Sequence, residues 1–235
     1  MWCIPSSKQR EEQGKAAKEK PNDNKDKTIQ SCPLKSVKTG LGDDVDKELV
    51  KCPKFAQNIK ELQDKGWSIE YGEKGKGSYC NKKAKKIVID EKKKGNTAAV
   101  LETLAHESGH AMYTPDPYIP PDGLTKEEYA SKNANRSLKD EGEATLTNIE
   151  MKECLKANGG MDIGVAGSQK AKYQDIAKKY PDAKDRDKAR QEIGDVFADK
   201  EHPSTDKSKT YRQYYEKPYN DAYDKLPPDK KVVKK

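Results

Sequence analysis

The sequence predicts an α+β fold: a small, mostly antiparallel sheet packed beside one helix, followed by a mainly helical half. Three observations carry that expectation. Two short strand-like runs, Trp67–Tyr71 and Lys86–Asp90, flank a glycine-rich stretch at 72–77. Val100, Leu101, Leu104, Ala105, Ala111 and Met112 then recur at helical spacing. Beyond Ser137 the segments read as helices broken by Gly159-Gly160 and by proline.

In chain order, residues 1–31 are charged, rich in Lys, Gln and Asn and without periodicity, as expected of a linker. The folded domain is expected over 32–225, with a basic tail at 226–235. Phe55, Ile59 and Leu62 follow Pro53 at i, i+4 and i+7, which predicts a short amphipathic helix ended by Gly66. Trp67–Tyr71 alternates apolar and polar, and Lys86–Asp90 is β-branched. The glycines between them, with Ser78-Tyr79-Cys80, read as a hairpin connection. Asn96 and Thr97 are good caps for the next helix. Four prolines make 113–124 a loop. Ser137, with Asp140 three residues on, resembles a capping box for a helix through Leu155. Helices are expected over 168–180 and 183–200. Tyr211, Tyr215, Tyr219 and Tyr223 form a stripe that Pro218 disturbs.

Composition excludes several functions. The net charge of +7 comes from 47 basic and 40 acidic residues, a mixed surface without a recognisable nucleic-acid module. No apolar run is long enough to span a membrane. Met1–Pro5 is too short for the apolar part of a secretory signal, so export would need another route. Five cysteines are an odd number. Buried or free thiols are the default, with one bridge, for example Cys32–Cys52, if the compartment is oxidising.

The chemistry concentrates in His106-Glu107-Ser108-Gly109-His110. Histidines four apart on a helix point the same way, so both imidazoles can grip one metal ion. Glu107 lies at the edge of that face, where it can reach a metal-bound water as general base. Two of the chain's three histidines fill the motif. Gly109 disfavours a helix by about 1 kcal/mol relative to Ala, which points to close packing or a substrate contact there.

A catalytic zinc takes three protein ligands and keeps one position for water. The third ligand is sought in Asp140-Glu141-Gly142-Glu143-Ala144, at the start of the next helix. Ala144, Thr147, Met151, Cys154 and Leu155 define the inward face. Glu143 borders it and is preferred, with Glu141 the rival and Asp140 third. The carboxylates not used can accept the free N–H of a ligand histidine. Acidic residues at a helix start also offset the macrodipole, which alone explains Asp140 and Glu141 well.

Leu104–Ala111 with Asp140–Ala144 resembles the zincins that use a glutamate third ligand. More narrowly it resembles the metallopeptidase toxin domains of bacterial type VI secretion effectors, associated with spike, PAAR and Rhs proteins. Asn158–Gly164 and Lys209–Tyr215 share that likeness, which spans about residues 32–223. The resemblance implies a zincin-like fold, Zn2+, a carrier of the spike or PAAR kind and a cognate immunity protein. It also implies delivery into a target cell, in the periplasm if the substrate is peptidoglycan.

The expected function is zinc-dependent hydrolysis of peptide bonds, with Glu107 as base and His106, His110 and Glu143 as ligands. His202, or one of the tyrosines, is a candidate oxyanion stabiliser. The edge strand near Ile87–Ile89 is expected to pair with an extended substrate, and loop 113–124 to border the cleft. The alternatives are a protease of cytosolic proteins, or a zinc-stabilised binding domain without turnover, which needs no base at Glu107.

Overall fold

Pro53 at the first helical position and Phe55, Ala56, Ile59 and Leu62 on one buried face build helix α2, Pro53–Asp64, after a shorter α1, Asp43–Leu49. A computed structural model of the chain describes residues 36–203 and 206–232. The linker expected at 1–31, and Cys3 and Cys32 with it, lie outside the described residues. At the end of α2, Gly66 takes a positive φ of 82° and turns the chain into the sheet.

The sheet has three strands, β1 Ser68–Tyr71, β2 Tyr79–Asn81 and β3 Lys86–Ile89, in the order β1-β3-β2. It is mixed. β1 pairs parallel with β3, Ser68 opposite Lys86, and β2 pairs antiparallel with β3, Cys80 opposite Ile87. The expected hairpin between the two longer strands is therefore corrected. The stretch after 72–77 forms a strand of its own, and the true hairpin joins β2 to β3. The run Ile87-Val88-Ile89 is buried throughout because it fills the centre of the sheet. β3 is thus no edge strand, and the two edges are β1 and β2.

Asn96 accepts a 3.0 Å bond from the Ala99 amide and starts α3, Thr97–Met112. All but one of the side chains from Val100 to Gly109 are buried, so α3 runs through the middle of the domain. Helix α4, Lys126–Ala157, begins eleven residues before the expected start at Ser137. Its cap is Thr125, whose hydroxyl meets the Glu128 amide while Glu128 returns a 2.9 Å bond from the Thr125 amide. Ser137 lies inside this helix, which at 32 residues spans about 48 Å.

Helices α5 Lys170–Lys179, α6 Arg186–Lys200 and α7 Tyr211–Asp224 complete the helical half. Helix α7 runs through Pro218, forgoing the amide that would reach the Tyr214 carbonyl. One apolar core joins α1, α2, α3 and the sheet to Met151 and Leu155 of α4. A second joins Leu146 and Ile149 of α4 to α5 and α6. The long helix α4 is the shared wall.

A disulfide, Cys52–Cys154, ties the N-cap of α2 to the last turns of α4 across 102 residues. It replaces the illustrative Cys32–Cys52 pairing. A loop of that length stabilises by about 4–5 kcal/mol in the chain-entropy account. No helix among the described residues is long and apolar enough to cross a membrane.

Candidate metal centre

Helix α3 meets α4 at Gly109. A Cβ there would stand 2.6 Å from Ala144 Cα and 2.9 Å from Thr147 Cβ. Close helix packing is therefore what the glycine serves. The crossing brings the next turn of α4 toward His106 and His110.

Helical geometry then decides which carboxylate faces them. At about 100° per residue, Glu141 lies roughly 60° from Ala144 and Glu143 roughly 100° away on the other side. Glu141 Oε2 stands 3.6 Å from His106 Nε2 and 3.5 Å from His110 Nε2. All three are close enough together to hold one metal ion. Glu143, the preferred ligand from sequence, faces α6 instead. Arg186 reaches it at 2.7 Å and Arg190 at 2.9 Å.

The separations fit a metal better than direct bonding. At 3.5–3.6 Å the nitrogen–oxygen pairs are longer than hydrogen bonds, normally about 2.7–3.2 Å. Ligand atoms about 2.0–2.2 Å from a tetrahedral ion stand roughly 3.3–3.5 Å apart. The two imidazoles are nearly perpendicular, with centroids 4.9 Å apart, so both can aim a nitrogen at one point without clashing.

Asp140, third among the sequence candidates, supports His110 rather than facing the same point. Its Oδ1 lies 2.8 Å from His110 Nδ1 and its Oδ2 lies 2.5 Å from Lys82 Nζ. A carboxylate held by an ammonium accepts, so His110 donates its Nδ1–H to Asp140, which turns Nε2 toward Glu141. Burial lowers the His110 pKa, but the charges of Glu141 and Asp140 outweigh it and raise it well above the ordinary value. Glu141 is also buried, yet the imidazoles hold it well below the usual carboxylate range. His106 Nδ1 is buried and has no partner among the described residues.

These groups line a cavity of about 590 Å³ together with β2, Lys82, Pro203 and Tyr211, Tyr214 and Tyr215 of α7. Glu107 is part of that lining and is buried. Burial pushes its carboxyl above the ordinary range, against the pull of the two imidazoles.

No family model, curated protein or solved structure matches this chain.

His202 is not at the site. It is exposed, and its Nδ1 lies 2.9 Å from the Lys209 carbonyl. Only its neighbour Pro203 reaches the cavity. Loop 113–124 does not line the cavity either. It is fastened to α4, where Asn133 bonds Ile119 through both its oxygen and its amide and Arg136 holds the Asp116 carbonyl. The side chain that sequence reasoning left undecided is Tyr215, whose hydroxyl donates to Glu141 Oε1 at 2.6 Å. The four-residue tyrosine spacing contained that signal, but it could not distinguish Tyr215 from its neighbours.

Proposed function

We propose that this chain is a zinc-dependent peptidase with His106, His110 and Glu141 as ligands and Glu107 as general base. The observation that carries the reading is the convergence of two imidazole nitrogens on one carboxylate oxygen, with a buried second carboxylate in the same cavity. Two histidines and a glutamate are a donor set that catalytic zinc uses. Zinc bound there would polarise a water and the substrate carbonyl.

The chain's own residues supply the rest. Glu107 takes a proton from the water and passes it to the leaving amine. Asp140 keeps His110 in the right tautomer. Tyr211 and Tyr214 line the same cavity and are the candidate hydroxyl donors to a developing oxyanion. The outer edge of β2, which pairs with no strand among the described residues, can align an extended peptide across the centre.

The setting we propose is a toxin delivered into a rival cell's periplasm, with a secretion carrier, a cognate immunity protein and peptidoglycan peptides as the substrate. The disulfide Cys52–Cys154 supports an oxidising workplace. The test is metal analysis of the purified protein with hydrolysis assays on murein and on unfolded protein. Bound zinc and hydrolysis of either substrate are expected. A protein that takes up no zinc overturns the proposal.

A further inference from the structure

Between Gly72 and Gly95 nine lysines stand against three carboxylates, whereas the chain as a whole carries 47 basic and 40 acidic residues. The fold gathers this excess at the two ends of β2. At one end the amides of Gly75, Gly77 and Lys92 all bond the Asp90 carboxylate, at 2.7, 2.9 and 2.8 Å. That bond set draws the loop carrying Lys74 and Lys76 against Lys92. The Asp90 amide in turn donates to Ser78 Oγ at 2.9 Å, so the cluster abuts the Ser78 end of the cavity. At the other end, the turn after Asn81 carries Lys82 and Lys83.

Some of these ammonium groups are already paired: Lys82 with Asp140, Lys86 with Glu70 and Lys94 with Glu91. Lys74, Lys76, Lys83 and Lys92 are exposed and form no ion pair among the described residues. The backbone amides that converge on Asp90 keep its carboxylate ionised, and its single charge offsets only part of the excess beside Lys92. An extended chain laid along β2 therefore meets unpaired positive charge at both ends.

We infer that the cavity takes an extended peptide with acidic side chains on both sides of the residue at the metal centre. This deepens the peptidase reading and rests on it for turnover, although binding needs no turnover. A strand edge presents alternating N–H and C=O groups, which match a peptide main chain and not a sugar-phosphate chain. The flanking lysines then select for charge and speed encounter.

The test uses the Glu107→Ala protein, which can bind without cutting. A short fluorescent peptide with Glu at alternate positions is titrated against its Gln counterpart. The Glu peptide should bind about tenfold more tightly at low salt, and the difference should vanish at high salt. In K74E/K76E/K83E/K92E, four exposed changes whose fold is checked by thermal unfolding, the preference should be lost. Equal binding of the two peptides, no binding of either, or a preference that survives the four changes overturns the inference. So does an oligonucleotide that displaces the Glu peptide. Hydrolysis by the wild-type protein separates the two claims. Cleavage without acidic preference sinks this inference alone, whereas acidic binding without cleavage sinks the peptidase reading and leaves the binding surface intact.

Discussion

Tyr215 donates its hydroxyl to Oε1 of Glu141 at 2.6 Å, while Oε2 of the same carboxylate faces both histidines. The two oxygens have separate surroundings, and α7 fixes the rotation of the candidate ligand carried by α4. Burial and the Glu141 charge push the Tyr215 hydroxyl well above its ordinary pKa, so it stays a donor. Tyr215→Phe should retain the fold and weaken metal affinity by about 10–100-fold, the usual effect of losing a partner that orients a ligand. Chelator competition measures it, and unchanged affinity would show that Glu141 needs no such support.

The neighbouring glutamates should separate cleanly. Glu141→Gln should lose metal, because an amide is a poor replacement for the ligand carboxylate. Glu143→Gln should keep metal and lose about 1–3 kcal/mol of stability, because Arg186 and Arg190 lose the charged acceptor they share and keep only Glu150 and Asp187. Metal analysis and urea unfolding of both variants check this. Metal lost from Glu143→Gln and kept in Glu141→Gln would reverse the assignment.

Acid should unfold the protein partly through Glu150. Burial raises its pKa, but Lys54 and Arg186, from α2 and α6, outweigh burial and hold it below the ordinary carboxylate value. Its stabilisation is therefore full above the ordinary carboxylate pKa and lost as pH falls through the depressed one. Urea unfolding at neutral pH and near pH 3 should show a smaller acid loss in Glu150→Gln than in wild type. An identical pH dependence in the two proteins would remove Glu150 from the account.

Cys80, the free thiol in the cavity wall, should be inert. Burial, then the Glu107 charge, pushes its pKa to about 12. Native alkylation at pH 8 should be at least about a hundredfold slower than in the unfolded chain. Peptide mapping of iodoacetamide labelling reads the two rates, and fast native labelling would contradict the half-buried site beside Glu107.

Local patterns were legible in the sequence. The caps of α3, the proline start of α2 and the spacing of His106, Glu107 and His110 state the helix and its metal face directly. What escaped was decided by tertiary geometry. Glu141 and Glu143 differ by two positions, and only the angle at which α4 crosses α3 at Gly109 selects between them. Ser137 and Asp140 imitate the cap that Thr125 and Glu128 form, which hides the start of α4 in the sequence. The parallel pairing of β1 with β3 depends on a three-residue strand too short to announce itself. The scarcity of histidines singles out His202, yet its loop holds it at the surface.

The central claim is that Glu107 is a base beside a metal and not part of a purely structural site. Metal content and peptide hydrolysis should be measured together in wild type and Glu107→Ala. The account predicts equal metal in both proteins, with hydrolysis reduced at least about a hundredfold in the variant. A Glu107→Ala protein that holds its metal and cleaves at the wild-type rate would contradict it.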